Sequence, residues 1–343
     1  MLSGSSSDVK SATPERHPSS SRPRYADYQL TVQYQHGLDI VGVGATGQVY
    51  DVDDDIVLKA GRIYEPPSDQ ATPQASTDYA SETIFHAGIS KDEKIVMGLL
   101  QKQPHRNIVQ VIETVHPEGV YLRKYERLPV PGEISQSDRI RWYQDIIRAL
   151  SHIHYFKIAY CDIRKDNILL DKNGNALLCD FGASCPFGYP NPSLPVLLNG
   201  PEHAASGATD RFAMASLIYE LETGSRPDIS LDSHGGLVLP QVRTAHDDLD
   251  SLIGKAWRGE YGSTGDMLQD AECIQVHAGQ DSRGLVGVED GVSREDLLSR
   301  IEQWRKGRKE HHGIYSKHLN HADILTRLRT VFLTHRVSGT GPS

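Results

Sequence analysis

The sequence predicts an α+β fold, with strands gathered in the first third of the chain and helices after them. Three observations carry this. From Leu38 to Leu58 apolar residues alternate around glycines and aspartates, the period of half-buried strands. Beyond Ser137, the residues Tyr143, Ile146, Ile147, Leu150 and Ile153 recur at i, i+3, i+4 and i+7, which is one face of a helix. From Asp210 to Leu221 the chain is apolar almost all round, as expected of a helix buried on every side.

Taken in order, the elements follow from local chemistry. Residues 1–24 are rich in Ser with scattered Pro and Arg, and they lack the apolar surface needed to offset the entropy of ordering. A disordered tail is expected over 1–28. Leu38 to Tyr50 reads as strand, glycine-rich turn, strand. Asp53-Asp54, taken as a two-residue hairpin loop, leads into a strand over Ile56–Lys59 and sets Lys59 across from Gln48. Residues 61–78, with Pro66, Pro67 and Pro73, read as an exposed insertion. A helix is expected from Tyr79 to Leu100, then strands over Ile108–Val115 and Gly119–Leu122, giving five strands and one helix in the first part. Ser137 is expected to cap a helix over 138–155. Asn173-Gly174 between Ile168–Leu170 and Ala176–Leu178 signals a hairpin. The buried helix from Asp210 ends at Gly224. A further helix ends near Trp257, and helical spacing returns over 294–305 and 321–333. His311, His312, His318 and His321 lie between these last two and read as a solvated linker in preference to a metal site.

Composition narrows the function classes. The chain has 343 residues, 36 Lys and Arg against 45 Asp and Glu, and a net charge of −9. That length suits roughly two domains, and the acidic balance argues against a nucleic-acid binder. No apolar run reaches the ~18 residues of a membrane span, so no membrane insertion is expected. The four cysteines, Cys161, Cys179, Cys185 and Cys273, show no framework spacing. They fit free thiols in a reducing cytoplasmic or nuclear compartment.

Two stretches carry chemistry. Tyr160-Cys161-Asp162-Ile163-Arg164-Lys165-Asp166-Asn167 offers a carboxylate and, five residues later, a carboxamide. Cys179-Asp180-Phe181-Gly182 adds a second carboxylate. Phosphoryl transfer from a nucleotide needs such a set: one carboxylate for the attacking hydroxyl, and a carboxamide with a second carboxylate to hold Mg²⁺ against the phosphates. Asp and Asn also form turns, and a glycine-rich turn alone is weak evidence. The combination is more specific. These stretches, with the turn at Gly42, Gly44 and Gly47 and the Val57-Leu58-Lys59 strand, resemble the motifs of the eukaryotic protein kinase superfamily. The chain is identified as a divergent serine/threonine-type member over about residues 29–270.

The resemblance implies a two-lobed fold, with an antiparallel β-sheet N-lobe over 29–122, a mainly α-helical C-lobe over 123–272, and a helical extension over 273–343. It implies Asp162 as catalytic base, and Asn167 and Asp180 as ligands of Mg²⁺. ATP would meet Val41, Gly42, Gly44, Gly47 and Val49 of the glycine flap, Lys59, and Leu122 and Lys124 at the hinge between lobes. A glutamate should pair with Lys59. Glu93 is preferred, because it precedes an apolar stripe and lies before His105-Arg106-Asn107-Ile108-Val109, which resembles the family's element after that helix; Glu82 is the alternative. Arg164 stands where the family has the lysine that contacts the transferred phosphate, keeping charge with a different geometry.

Several positions depart from the family pattern. Tyr160 replaces a usual His, and Cys161 replaces the Arg that commonly reads a phosphorylated activation loop. On that ground Ser184→Ala and Ser193→Ala are expected to leave activity largely intact. Gly200-Pro201-Glu202 resembles the segment's closing motif, yet its usual late arginine partner is missing and Arg258 is out of place for it. The function implied is transfer of the ATP γ-phosphate to a protein hydroxyl, Ser/Thr before Tyr. The alternatives are a pseudokinase scaffold and, less favoured, a small-molecule kinase. The partners implied are ATP and a protein substrate, with oligomeric state left open.

Overall fold

The computed structural model describes residues 30–35, 37–44, 46–129, 134–191, 204–274 and 292–312. The tail over 1–28, Ser193, Gly200-Pro201-Glu202, the spacing over 321–333, His318 and His321 lie outside the described residues.

An antiparallel sheet comes first. Its strands are β1 (Ile40–Val43), β2 (Gly47–Asp51), β3 (Ile56–Gly61), then, after helix α1 (Pro73–Lys102), β4 (Val111–Glu113) and β5 (Val120–Arg123), in spatial order β1-β2-β3-β5-β4. The short β6 (Glu126–Arg127) leads out of this lobe to α2 (Gln136–Tyr155) and β7 (Ile158–Ala159). Next come the hairpin β8 (Ile168–Leu170) and β9 (Ala176–Leu178), then β10 (Cys185–Pro186), α3 (Gly207–Thr223), β11 (Ser230–Leu231) and β12 (Leu237–Val238). The helices α4 (Asp247–Trp257), α5 (Thr264–Cys273) and α6 (Arg294–His312) complete the described chain. The result is the two-lobed α+β arrangement expected. No helix among the described residues is long and apolar enough to cross a membrane.

The sheet register decides which side chains reach the space between the lobes. Side chains alternate faces along a strand. On β3, Ile56, Leu58 and Ala60 pack on one face with Tyr50 and Tyr121, while Val57 joins the opposite face with Val120 and Leu122. Lys59 shares parity with Val57. The hairpin is one residue longer than its aspartates suggest: Val49 pairs with Lys59 and Gln48 with Ala60, around a three-residue loop, Asp53 to Asp55. Asp55 N–H donates to Asp53 Oδ1 at 2.9 Å and stabilises that loop. The pairing of Lys59 with Gln48 is therefore corrected by one place, and the correction matters because such a slip changes faces.

Two helix starts also differ from expectation. Helix α1 begins at Pro73, with Thr72 as N-cap accepting from Ala75 N–H at 3.2 Å. Proline suits the first helical position because its missing N–H has no intrahelical partner to lose. The expected insertion therefore ends by Thr72, and within it Tyr64 is buried and bridges Val32. For α2 the cap is Ser135, which accepts from Asp138 N–H at 3.1 Å, and Ser137 lies inside the first turn.

The main core joins the cleft side of the sheet, α1 and the helices α2–α5; Met97, Ile147, Leu150, Leu178 and Ile218 lie within it. The other face of the sheet is covered by α6. Leu297 and Ile301 are buried against Tyr50, Ile56, Leu58 and Tyr121. Arg300 reaches Asp53 and Asp55 of the β2–β3 loop, each at 2.9 Å, and Arg305 donates to Glu118 at 2.7 Å. Helix α6 thus supplies part of the sheet lobe's own core. The Arg300 pairs are partly exposed and add little each, whereas Glu118 is buried beneath Arg305 and Arg308 and needs their charge. We expect Ile301→Ala to destabilise the protein by about 2–5 kcal/mol, measured as a lowered denaturation midpoint.

Candidate active site

Lys59 sits at the centre of β3 between β2 and β5, so its backbone is held on both sides. Its side chain is buried, and Nζ lies 2.5 Å from Glu93 Oε1 and 2.8 Å from Asp180 Oδ1. Burial works against the ammonium charge, and the Glu93 and Asp180 carboxylates more than offset it, so its pKa stands above the ordinary lysine range. Glu93 comes from the buried side of α1 and also accepts from Phe181 N–H at 3.2 Å. Glu82 instead lies 3.6 Å from His86, with its side chain 44% exposed. Geometry therefore selects Glu93 from the two glutamates.

Asp180 follows β9 in the left-handed region, at φ 56°. Its Oδ1 also accepts from Gly182 N–H at 3.3 Å. Burial raises its pKa, but Lys59 prevails and holds the carboxyl below the usual aspartate value. Asp162 shows the opposite balance. Its pKa is raised, first by burial, although Asn167 and Arg164 favour the charged form. Asn167 Nδ2 donates to Asp162 Oδ2 at 2.7 Å and to Asp162 O at 2.9 Å. The 3₁₀ turn Lys165–Asn167 makes this possible by folding the chain back on itself. Asn167 O then accepts from Cys179 N–H at 3.0 Å, which brings the loop beside Asp180. The β8–β9 hairpin closes this approach with Ile168 opposite Leu178, and Asp171 N–H donates to Asn175 O at 3.0 Å, so the loop holds Lys172, Asn173 and Gly174, one residue more than a two-residue Asn173-Gly174 turn, with Gly174 at φ 78°.

The glycine turn lies over this group. Gly44 N–H donates to Gly47 O at 2.9 Å. A Cβ on Gly44 would stand 3.6 Å from Asp180 Oδ2, which places the turn directly above that carboxylate. The sequence logic for Gly47 needs correction in part. A Cβ there would meet Ala60 O at 2.0 Å, so the neighbouring strand alone demands glycine, whatever lies below the turn. Val49 and Leu122 both pack on the cleft-side core, and Val41 and Gly42 form the outer edge of β1.

Two expected positions are engaged elsewhere. Lys124 N–H donates to Asp55 O at 2.8 Å, and its Nζ donates to Asp51 Oδ1 at 2.7 Å. Its amide and its ammonium are both engaged by the β2–β3 region. Arg164 pairs with Asp166 at 2.6 Å and is half exposed, though Asp162 and Asp180 both contribute to raising its pKa.

Further residues support the site. Arg127 Nη2 donates to Val41 O at 2.6 Å and ties the segment after β5 to the glycine turn. Tyr160 is fully buried; its hydroxyl donates to Cys179 O, and its ring stands edge-on to Phe181 at 5.3 Å. Asp210, at the start of α3, accepts from Tyr160 N–H at 2.6 Å and Cys161 N–H at 2.9 Å, with His154 Nε2 at 2.8 Å from the same carboxylate. Nothing in the local pattern near Arg127 signals its contact, because its partner lies 86 residues away. Among the described residues, no group of three or more His, Cys, Asp or Glu side chains forms a separate metal cluster.

The comparisons with known proteins agree with this geometry. A family model described as "Protein kinase domain" matches residues 35–230, more than half of the chain. The chain is similar to the CBL-interacting serine/threonine-protein kinase 24 of Arabidopsis thaliana, at 24% identity over 176 residues, 46% of this chain and 39% of that protein. It is 26% identical over 181 residues to a calcium/calmodulin-dependent protein kinase kinase of Caenorhabditis elegans, 46% of this chain and 33% of that protein. It is 30% identical over 151 residues to the human serine/threonine-protein kinase Sgk2, 38% of this chain and 41% of that protein. The matches thus span only about two fifths or less of these relatives' own lengths. A buried lysine with one glutamate and one aspartate partner lies under a glycine turn, a second, half-buried aspartate is held beside them through Asn167, and the family model covers more than half of the sequence: the chain belongs to the protein kinase domain family.

Proposed function

We propose that this protein transfers the γ-phosphate of ATP to a hydroxyl of a protein substrate, serine or threonine before tyrosine, with Mg²⁺ as the required cation. The observation that carries this is the linkage of Lys59 to both Glu93 and Asp180. A buried ammonium held between two carboxylates beneath a glycine turn is set to bind phosphate oxygens, and little else explains its cost. Residues 29–122 would bind the nucleotide, residues 123–272 would carry catalysis and substrate, and 273–343 would form an extension.

The donors suit the cation. Mg²⁺ prefers hard oxygen ligands and keeps several waters, so one or two carboxylates and phosphates suffice. Asp180 Oδ2, below Gly44, and the amide oxygen of Asn167 would hold it. Asn167 Nδ2 is already committed to Asp162, which orients that oxygen. A bound cation neutralises charge building on the phosphates. Asp162, aligned by Asn167, would orient the substrate hydroxyl and take up its proton. Arg164 would swing from Asp166 to the transferred phosphate, its charge retained in either position.

Activity without prior phosphorylation of the activation segment is part of this reading. Cys161 offers no charge to a phosphate, and Ser184 is buried, with its hydroxyl donated to Tyr160 O at 3.1 Å. The same reading places the protein in the cytoplasm or nucleus, consistent with four free cysteines.

The test is transfer of labelled phosphate from ATP to a generic basic protein, with and without Mg²⁺. We expect transfer by the wild type, and for Asp180→Asn a loss of roughly 10²–10³-fold with a raised Mg²⁺ requirement. If the wild type binds ATP but transfers nothing, the scaffold reading replaces this one.

A further inference from the structure

The catalytic loop and the segment after Asp180 are joined by two thiols whose meeting the proposed chemistry does not use. Cys161 Sγ and Cys185 Sγ lie 3.8 Å apart. Both belong to a small apolar cluster with Ala159, Ala205 and Phe187. The backbone around them is held on both sides. Cys185 is registered opposite Ala159 in the β7–β10 pair, Phe187 N–H donates to Lys157 O at 2.8 Å, and Ser184 donates to Tyr160 O. Cys161 is in the left-handed region at φ 65°, its N–H fixed by Asp210. The two sulfurs are therefore presented to each other by anchored segments, and a shift of about 2 Å brings them to bonding distance.

We propose that Cys161 and Cys185 are a thiol-oxidation site, forming a reversible disulfide that ties the catalytic loop to the activation segment when a peroxide is present. The two thiols are suited to different steps. Cys185 is half-buried, and the hydrogen bond from Cys161 favours its thiolate, lowering its pKa. Cys161 is buried and stays a thiol. The Cys185 thiolate attacks one peroxide oxygen, the O–O bond breaks, and the sulfur becomes a sulfenic acid; the departing hydroxide takes a proton and leaves as water. The Cys161 sulfur then attacks the sulfenic sulfur, the S–O bond breaks, and its proton leaves with the oxygen as a second water. Two electrons pass from the two thiols to one peroxide. Cys179 lies outside this cluster and packs on the main core instead. Cys273 is exposed on α5, in a different element.

This inference rests on the placement of the thiols and is independent of whether phosphate is transferred. The full-length protein, reduced and then exposed to hydrogen peroxide, is blocked with N-ethylmaleimide and mapped without reduction. We expect loss of two hydrogens in the intact mass and one linked peptide pair containing residues 161 and 185. A rise in Tm of about 5 °C should accompany it, because a loop of this length is closed, with slower amide exchange over 183–187. Dithiothreitol should reverse all three. Cys273→Ser should retain the linkage, and Cys185→Ser should leave residue 161 alkylated only after unfolding. Pairing of Cys185 with Cys179 or Cys273 overturns the proposal, as does accumulation of unlinked Cys185 sulfinic acid.

Discussion

Asp162→Asn is expected to lower phosphate transfer by roughly 10²–10⁴-fold, the usual contribution of a positioned proton acceptor. Nucleotide affinity should change little, since the Lys59, Glu93 and Asp180 linkage does not pass through this carboxylate. Asparagine preserves size and can keep the contact with Asn167, so the loss reports on charge and proton acceptance. A pH profile adds a second reading of the same group. Asp162 has its pKa raised, chiefly by burial. The charged form is the one that accepts a proton, so the rate should rise with pH through that value and level off above it. The acid limb should therefore lie above the ordinary aspartate range and disappear in Asp162→Asn. Equal transfer by wild type and variant would remove Asp162 from the mechanism.

Lys59→Met should have the other large effect, on two observables together. Transfer should fall by roughly 10²–10³-fold, as when one donor to a charge-bearing group is removed. Stability should fall as well, by about 3 kcal/mol, because Glu93 is left buried without its counter-charge and Asp180 loses its strongest neighbour. Urea denaturation of the free protein measures the second effect without nucleotide. Glu93→Gln in the Lys59→Met background should recover part of that stability and none of the transfer. A Lys59→Met variant as stable as the wild type would mean that the pair contributes nothing to holding α1 against the sheet.

The positions in the candidate site differ in how legible they were. Asp162, Asn167 and Asp180 stand close together in sequence, and the Asn173-Gly174 hairpin that brings them together is itself a local signal. Lys59 was assigned to the right strand and the wrong partner, because three aspartates in a row allow two loop lengths and only packing on both faces chooses between them. The site role expected of Lys124 came from its place after β5. The structure turns it toward Asp51, a contact across 73 residues that no periodicity predicts. Thr72-Pro73 could have been read as a helix start, but proline among polar residues looked like an insertion.

Strand and helix order, the glycine turn and the two aspartates with their carboxamide were determined by the sequence alone. Periodicity, capping and short motifs act over a few residues, so they are written locally. Only the tertiary structure decided that Glu93 and not Glu82 meets Lys59, that α6 completes the core of the sheet lobe from 247 residues away, and that two thiols face each other. Those outcomes depend on which distant surfaces bury one another, and many local patterns are compatible with several such pairings.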